Sequence, residues 1–408
     1  MSSLERFAAD SLKDYEEKNL LRSLKITENI DSVHVIREGK KLVSFAGNDY
    51  LGLARHPAVK QAAEKYSGGA GASRYITGNH PLYPVLEKKI AAFKGFADAC
   101  IMGSGYLANI GAIPVLAGKG DLIIADKLVH ASIIDGIKLS GADFLRFKHN
   151  DMKSLKGLLE KNRQEYRNVL IITEEIFSMD GDKAPLFEIA EIAGKCDAWI
   201  YCDAAHSLYS KEKYPAENFV LMGTFSKALG SYGGYISSGK KTIDFLKNKM
   251  RSSIFTTALP PGVIAASIAA LEVVEDNQML PVMALDRAKY FISLMSCHPP
   301  SLHCHSRAGG NPYSRGGEIL AVTDRPVAMD SRLRGNDNIP GAIVPYIVGD
   351  EKKALEYAAK LEKKGFLTAA IRPPTVPKNT SRLRFSFSSA HSEDMIEGLA
   401  TALNKITG

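Results

Sequence analysis

Short, uninterrupted apolar runs alternate with amphipathic stretches between about residues 46 and 285. Parallel strands that are covered by helices on both faces are apolar along their whole length, whereas half-exposed strands alternate. The pattern therefore predicts an α/β fold, a doubly wound, mostly parallel sheet between helices, whose ligands bind beyond the carboxyl ends of the strands. The runs that carry this prediction cover residues 99–102, 122–125, 169–173 and 199–202, and they end at Gly103, Asp126, Glu174 and Asp203.

The two ends of the chain have different patterns. Apolar residues recur at helical spacing over residues 4–24, and two short strands are predicted at 33–36 and 41–45. After residue 286 a helix at 354–361, an alternating strand at 382–388 and a capped helix at 393–405 indicate an α+β unit. We therefore expect three parts: an N-terminal arm (1–45), a large α/β domain (46–285) and a smaller α+β C-terminal domain (286–408).

Residues 298–340 differ in composition from the rest of the chain. They are rich in Gly, Pro, Ser, Asn and Arg, and no lysine occurs between Lys289 and Lys352. Such a composition buries too little apolar area to offset the entropy of ordering, so we expect an inserted, mobile surface loop. Metal-ligand residue types occur here without any standard zinc spacing, and we predict no metal site; they are Cys297, His298, His303, Cys304 and His305.

Composition and charge exclude several classes of protein. The 408 residues are 45% hydrophobic and carry a net charge of +7, but no dense Lys/Arg block suggests binding to nucleic acid. Five cysteines do not form a disulfide framework in a chain of this length, which favours a reducing compartment. No signal peptide and no run of about 18 apolar residues is found, so we expect a cytoplasmic protein without a membrane partner.

The clearest candidate for chemistry is Lys227. It follows the apolar run 219–222, with the hydroxyls of Thr224 and Ser226 just before it and Gly233 and Gly234 after it. A lysine held away from water near other cations becomes a nucleophile that can form an imine with an aldehyde cofactor. Taken alone, however, a solvated lysine at a strand end is the commoner situation.

Further polar residues stand at the predicted strand ends. The glycine turn at 103–105 opens a helix and suits a phosphate, although a plain tight turn has the same sequence. Asp203 suits the nitrogen of a pyridine ring, or alternatively the N-cap of a helix. His130 and His206 are either structural or catalytic. Together with Lys227, these residues describe a site for pyridoxal 5′-phosphate.

The chain resembles the α-oxoamine synthases, a branch of the fold type I pyridoxal phosphate-dependent transferases. The resemblance extends from about residue 20 to the C-terminus, outside 298–340. The motif at 370–377 is similar to that of the members that use L-alanine and a pimeloyl thioester. The other motifs that carry the resemblance are at 48–53, 130–132, 177–182, 224–227 and 255–261.

The resemblance implies a role for each cofactor residue. Lys227 would hold the cofactor covalently and then act as the catalytic base. Asp203 would pair with the ring nitrogen, His206 with the phenolic oxygen, and His130 and Ala205 would cover the two ring faces. The other residues that the resemblance assigns to the cofactor are Gly105, Tyr106, Glu174, Ser178 and Thr224.

The resemblance also implies substrates and a partner. Arg372 would bind the amino-acid carboxylate as a bidentate fork, and Arg22, His130 and Thr375 would contact substrate. Thr256 and Thr257 would reach the cofactor phosphate of a neighbouring subunit, so a homodimer with shared active sites is expected.

The expected reaction joins L-alanine to pimeloyl-CoA or a pimeloyl carrier protein, with loss of CO2 and of the free thiol, to give an amino ketone of biotin biosynthesis. The alternatives are a condensation of glycine with acetyl- or succinyl-CoA, an aminotransferase, and a pyridoxal phosphate-binding protein that has lost its activity.

Beside the proposed site, the sequence differs from the usual motifs of the family at several positions. Residues 203–207 read Asp-Ala-Ala-His-Ser, where Asp-Asp-Ala-His-Gly is usual, and Leu208 and Tyr209 follow. Tyr83 stands where a histidine is common. Asp203 and His206 are retained, so we expect the departures to change the shape of the loop rather than the electronics of the cofactor.

Overall fold

The computed structural model describes residues 1–18, 20–66, 68–209, 213–215, 218–296 and 341–407. The insertion predicted at 298–340, with its histidines and Cys304, lies outside the described residues, as does Cys297.

The strands of the described chain form three sheets. The strands are β1 (Thr27–Asn29), β2 (His34–Arg37), β3 (Lys40–Ser44), β4 (Asp98–Met102), β5 (Leu122–Asp126), β6 (Asp143–Phe147), β7 (Val169–Glu174), β8 (Trp199–Asp203), β9 (Phe219–Thr224), β10 (Gly234–Ser238), β11 (Ile343–Gly349), β12 (Phe366–Leu367), β13 (Ala369–Ile371) and β14 (Ser381–Ser386).

The helices surround these sheets. They are α1 (Ser3–Glu17), α2 (Pro57–Glu64), α3 (Leu82–Lys94), α4 (Gly105–Leu116), α5 (Ala131–Ser140), α6 (Met152–Asn162), α7 (Leu186–Lys195), α8 (Lys240–Lys249), α9 (Arg251–Ile254), α10 (Pro261–Asp276), α11 (Met279–Ser296), α12 (Glu351–Lys363) and α13 (Glu393–Thr407), with a π-helical turn at Arg74–Gly78 and a 3-10 turn at Arg163–Glu165.

The large sheet confirms the predicted α/β architecture. Its strand order is β4-β10-β9-β8-β7-β5-β6. The pairs β9–β8, β8–β7, β7–β5 and β5–β6 are parallel, whereas β10 is antiparallel to both of its neighbours. Because β4 to β9 run in one direction, their carboxyl ends meet at the same edge of the sheet.

Alternate residues of the central strands are buried on opposite faces. On β5, Ile123 belongs to a core that includes Ile133 of α5, while Ile124 belongs to a second core with Leu155 of α6 and Ile189 of α7. Both faces are therefore covered by helices, which explains why this strand is apolar throughout.

The two smaller sheets lie towards the chain ends. Strands β1, β2 and β3 form one sheet with β12, in which Val43 pairs with Phe366 in parallel. Strands β11, β14 and β13 form the other, which is antiparallel. The smaller α+β unit is thus present and the strands of the N-terminal arm join it through β12, while the boundaries at residues 45 and 285 stay a prediction.

Helix α1 presents apolar residues to solvent. Ser2 caps its first turn, and none of its described side chains is buried. Leu4, Phe7 and Leu12 are among the exposed large apolar residues. The helix ends at Glu17, so the helical pattern predicted up to residue 24 does not continue as α1. Among the helices that the structure describes, none combines the length and apolarity needed to cross a lipid bilayer.

A histidine joins two loops at the carboxyl edge of the sheet. His149 Nδ1 lies 3.0 Å from Asp126 Oδ1, and its Nε2 lies 2.8 Å from Asp182 Oδ2. Burial lowers the pKa of His149, but the hydrogen bonds to the two carboxylates outweigh this effect and raise the pKa to about 10. His149 is therefore a cation at neutral pH.

We expect this cation to make stability depend on pH. Since folding raises the pKa of His149, its contribution is complete below the ordinary histidine pKa near 6.5 and is lost as the pH rises through about 10. In urea unfolding, the midpoint difference between the wild type and His149→Gln should therefore shrink as the pH is raised from neutral to about 10. A difference that stays constant over this interval would contradict the assignment.

Candidate active site

The carboxyl ends of the strands converge on a cleft of about 210 Å³. Most of the residues predicted from the sequence for the cofactor line it, because each ends or follows one of the strands β4, β5, β7, β8 or β9. These residues are Gly105, Tyr106, His130, Glu174, Asp203, Ala205, His206, Thr224 and Lys227.

Lys227 is half-buried in the turn that follows β9. Its Nζ lies 2.8 Å from Nε2 of His206. Burial lowers the pKa of Lys227, against the opposing charges of Asp203 and Glu174. A lysine with a lowered pKa has a larger neutral fraction, which is the form that attacks an aldehyde or accepts a proton.

His206 links Lys227 to the small C-terminal sheet. Its Nδ1 lies 2.7 Å from the hydroxyl of Tyr50. Arg384 of β14 donates from Nη2 to that hydroxyl over 3.1 Å and to Asn48 Oδ1 over 3.2 Å. Burial, followed by the charge of Lys227, lowers the pKa of His206 well below its usual value. A neutral His206 therefore accepts a hydrogen bond from the Lys227 ammonium.

Neither Tyr50 nor Arg384 was singled out for the site from the sequence. Arg384 was predicted only as part of an alternating strand, and Tyr50 only as part of a motif. Arg384 is 4% exposed and also donates from Nε to the carbonyl of Ser178 over 2.6 Å. No local pattern distinguished Arg384 from the other polar residues of the predicted strand, because its partners lie far away along the chain.

Asp203 is held by donors at the end of β8. Its Oδ2 accepts from Asn109 Nδ2 over 2.9 Å, and its Oδ1 accepts from the backbone N–H of Ala205 over 2.9 Å. The side chain is buried. Two donated hydrogen bonds suit an ionised carboxylate, which has further lone pairs for a protonated ring nitrogen.

Glu174 and His130 meet at the ends of β7 and β5. Glu174 Oε1 accepts from the backbone N–H of His130 over 2.6 Å. Burial, together with the negative charge of Asp203, raises the pKa of Glu174 well above its usual value. The Glu174 carboxyl thus fixes the backbone from which His130 projects into the cleft.

The turn at the start of α4 forms another wall. Ser104 caps α4 by accepting from the backbone N–H of Leu107 over 3.1 Å, so the helix begins at the cleft with its positive dipole end. Opposite it, Thr224 Oγ1 lies 2.7 Å from Ser226 Oγ. Backbone N–H groups at a helix N-terminus beside hydroxyl groups suit a phosphate.

Gly234 allows β10 to approach this turn. A Cβ at this position would lie 2.6 Å from the carbonyl carbon of Ser104 and 2.7 Å from the nitrogen of Gly105. Real Cβ atoms do not approach backbone atoms so closely, so any side chain at residue 234 must displace the turn.

We expect Gly234→Ala to weaken cofactor binding. Displacing the turn by overpacking of this size typically costs about 1–3 kcal/mol, so the dissociation constant for pyridoxal phosphate should rise by about 5- to 150-fold. Titration of the apoprotein with the cofactor measures this dissociation constant. Gly157→Ala is the matched control, because a Cβ there meets open space on α6 and should leave binding unchanged. Equal affinities for the two variants would contradict the proposed phosphate site.

The other predicted site residues do not line this cleft among the described residues. Ser178 lies beside it, since its carbonyl accepts from Arg384. Arg372 and Thr375 lie in the turn after β13, where the Thr375 N–H donates to the Arg372 carbonyl over 3.1 Å. Their roles stay predictions, as do those of the exposed Arg22 and of Thr256 and Thr257 in the segment after α9.

The residues that differ from the usual motifs of the family make specific contacts with neighbouring elements. Lys94 is 2% exposed and donates to Ser207 Oγ over 3.0 Å, and its Nζ lies 4.7 Å from the ring centre of Tyr209. The Tyr209 hydroxyl donates to the carbonyl of Thr224 over 2.6 Å. Tyr83 accepts from the backbone N–H of Leu259 over 2.7 Å. Tyr209 therefore connects this loop to β9, next to the site, and Ser207 connects it to Lys94 of α3.

A larger cavity of about 1120 Å³ opens beside the cleft. Ser226 lines both, and Tyr50, Ser386 and His391 line the larger one. The molecule thus has room next to Lys227 for a substrate longer than an amino acid.

Comparisons with known proteins find similar sequences along most of the chain. Residues 40–306 match the family described as aminotransferase class I and II. The 8-amino-7-oxononanoate synthase of Maricaulis maris (strain MCS10) is 41% identical over 421 residues, which cover 99% of this chain and 97% of that protein.

Solved structures with the same fold include a transferase and a synthase. A serine palmitoyltransferase from S. paucimobilis, with a bound adduct of pyridoxal phosphate and myriocin, has a TM-score of 0.83 and 25% identity, covering 100% of this chain and 98% of that chain. An 8-amino-7-oxononanoate synthase from Francisella tularensis has a TM-score of 0.66 and 23% identity, covering 89% of this chain and 97% of that chain, and at that identity it shows the fold alone.

Proposed function

The chain belongs to the aminotransferase class I and II family and, within it, to the 8-amino-7-oxononanoate synthases, and we propose that it condenses L-alanine with a pimeloyl thioester. The products are 8-amino-7-oxononanoate, CO2 and the free thiol. The observation that carries the proposal is the convergence of Lys227, Asp203 and His206 on one cleft, in a chain of this family.

The residues of the cleft fit pyridoxal phosphate, the cofactor of this fold. Asp203 offers a buried carboxylate for the ring nitrogen, and Ala205 lines the cleft with a small apolar side chain. His206 suits the phenolic oxygen, and the turn at Gly105 with Thr224 suits the phosphate. When bound, the cofactor supplies the electron sink that makes the α-proton of an amino acid removable.

Each catalytic side chain then has a defined task. Lys227 Nζ removes the α-proton of alanine, which its lowered pKa favours near neutral pH. Asp203 keeps a proton on the ring nitrogen by its negative charge. His130 donates a hydrogen bond to the carbonyl oxygen of the acyl thioester, where negative charge develops during attack.

We propose that Arg372 binds the carboxylate of alanine, and that Arg22 and Thr375 contact substrate. The motif at 370–377, which contains Arg372 and Thr375, supports alanine and the pimeloyl chain over glycine and shorter acyl groups.

A direct competition tests this choice of substrates. Purified protein loaded with pyridoxal phosphate is given alanine or glycine, each with pimeloyl-, acetyl- or succinyl-CoA. We expect the highest kcat/KM for alanine with pimeloyl-CoA. Preference for glycine with acetyl- or succinyl-CoA would instead assign the chain to another α-oxoamine synthase activity.

The active unit that we propose is a homodimer in the cytoplasm. Free thiols at Cys100, Cys196 and Cys202 suit a reducing compartment. The exposed Thr257 and half-buried Thr256 are available to a second subunit. The exposed apolar side chains of α1 provide surface that a contact between subunits would bury.

Active-site complementation tests the sharing of sites. A hybrid of a Lys227→Ala subunit and a Thr256→Ala/Thr257→Ala subunit contains one intact site if the threonines serve the neighbouring cofactor. Mixing the two weak variants should then restore activity. No recovery in a mixture whose hybrid dimers are demonstrated would contradict shared sites.

A further inference from the structure

A chain of buried hydrogen bonds runs beneath the cleft from β8 to His130. The hydroxyl of Tyr201 donates to Asn109 Oδ1 over 2.8 Å. Asn109 Nδ2 lies 2.9 Å from Asp203 Oδ2 and 2.9 Å from Ser132 Oγ. Ser132 Oγ lies 2.7 Å from His130 Nδ1. Asn109 and Ser132 are each 1% exposed, so water does not compete for these bonds.

The partners fix the orientation of the Asn109 amide. Its Nδ2 has two hydrogens, and its Oδ1 only accepts. Reversing the amide would turn Oδ1 towards the Asp203 carboxylate and Nδ2 towards the Tyr201 hydroxyl. Since the carboxylate needs a donor, Asn109 Nδ2 must face Asp203, and its second hydrogen then points to Ser132 Oγ.

The orientation of the Asn109 amide determines in which direction the hydroxyl hydrogen of Ser132 points. A serine hydroxyl has one hydrogen and two lone pairs. Because Ser132 Oγ already accepts from Asn109 Nδ2, its own hydrogen is available for His130 Nδ1. The hydrogen bonds therefore run in one direction, from Tyr201 through Asn109 and Ser132 to His130.

The backbone supports the same proton arrangement. His130 is the N-cap of α5, and its Nδ1 accepts from the backbone N–H of Ser132 over 3.2 Å. Two donors thus point at Nδ1, and a proton on Nδ1 would face both of them. A neutral imidazole with an acceptor at Nδ1 carries its hydrogen on Nε2.

We propose that Asn109 and Ser132 are positioning residues that hold His130 as the Nε2–H tautomer, so that Nε2 is the donor that meets the acyl thioester carbonyl. The part that concerns the thioester rests on the proposed function. The tautomer itself follows from the hydrogen bonds that link Asn109, Ser132 and His130, and it can be measured without turnover.

Nitrogen NMR of histidine-labelled protein tests the tautomer directly, in the apoprotein and with cofactor. A His130→Gln variant identifies the His130 signals. We expect a protonated Nε2 and an unprotonated Nδ1 in the wild type at pH values where the ring is neutral. A neutral ring whose main tautomer carries the hydrogen on Nδ1 would overturn the proposal.

The pH titration of the same signals tests Ser132. In Ser132→Ala, Nδ1 loses a donor that stabilises the neutral ring, so the pKa of His130 should rise by about half to one pH unit. The titratable groups around His130 are Asp203, Glu174, Lys227, Asp135 and His206, and all are retained in the variant. An unchanged or lowered pKa would contradict the role of Ser132.

Kinetics then separate positioning from a merely structural role. Ser132→Ala should lower kcat/KM for pimeloyl-CoA by about fivefold to tenfold, the effect of one hydrogen bond, while the dissociation constant for alanine stays within about twofold. Ser140→Ala, which loses two hydrogen bonds at the other end of α5, is the control and should retain both values.

The outcomes distinguish this proposal from the proposed function. A wild type that makes no product contradicts the proposed function, while the NMR result still decides the tautomer. If Ser132→Ala lowers the affinity for alanine by the same factor as kcat/KM for pimeloyl-CoA, the role of Ser132 is structural and the positioning proposal is overturned.

Discussion

Replacing Lys227 with alanine is expected to abolish both turnover and the absorbance of lysine-linked cofactor. The variant loses the amine that joins the cofactor and the base that removes the α-proton of alanine. Loss of a general base alone typically lowers the rate by about 10²- to 10⁴-fold, so the combined loss should exceed this range. Absorbance spectra and product formation with alanine and pimeloyl-CoA measure the two effects.

The control for this prediction is Lys241→Ala. Lys241 is exposed on α8 and does not line the catalytic cleft. This variant should retain the spectrum and the rate of the wild type. Normal turnover by Lys227→Ala would show that another group performs the chemistry, and the assignment of the whole cleft would be wrong.

Asp203→Asn is expected to have the second largest effect. Asparagine keeps the shape but not the charge that holds the ring nitrogen protonated, and an opposite charge nearby typically shifts such a pKa by about 1–3 units. We therefore expect kcat to fall by about 10- to 10³-fold. Measurement of kcat, together with the affinity for pyridoxal phosphate, separates the electronic effect from weaker binding.

The structure also predicts a smaller cost in stability for this variant. Asp203 accepts from both Asn109 and Ala205, so the amide nitrogen of an asparagine must face a donor or the cofactor. A buried group left without a partner costs about 1–3 kcal/mol, which urea unfolding of the apoprotein measures. A kcat within about twofold of the wild type would contradict the role of Asp203.

Much of the fold was predictable because burial on both faces leaves a simple signal. Strands β4, β5, β7, β8 and β9 were apolar runs in the sequence. Helix α4 between β4 and β5 and helix α7 between β7 and β8 provide crossovers that connect strands running in one direction. The antiparallel β10 was not predicted. It contains Gly234, Ser237 and Ser238, and its Ser238 hydroxyl donates to the carbonyl of Phe219 on the next strand.

The site was predictable where residues stand at strand ends. Lys227, Asp203, His206 and His130 follow strands whose carboxyl ends meet, so the sequence indicated that they would lie close together. The comparisons then confirm the family, the fold type and the cofactor.

The supporting residues were not predictable by this reasoning. Asn109 is on a helix, 94 positions from Asp203 along the chain, and Arg384 is 334 positions from Tyr50. Their hydrogen bonds exist only once the elements have packed, and no local pattern marks them. The contacts of Ser207 were also not predictable, since its partner Lys94 is 113 positions away along the chain.

The most direct test of the account is a single incubation of the purified protein with pyridoxal phosphate, pimeloyl-CoA and alanine labelled at its carboxyl carbon. We predict a product with the mass of 8-amino-7-oxononanoate, free of label, and release of the label as CO2. Transfer of the amino group to a keto acid without CO2 would indicate an aminotransferase, and cofactor binding without any product would indicate an inactive protein; either result would contradict a decarboxylative condensation.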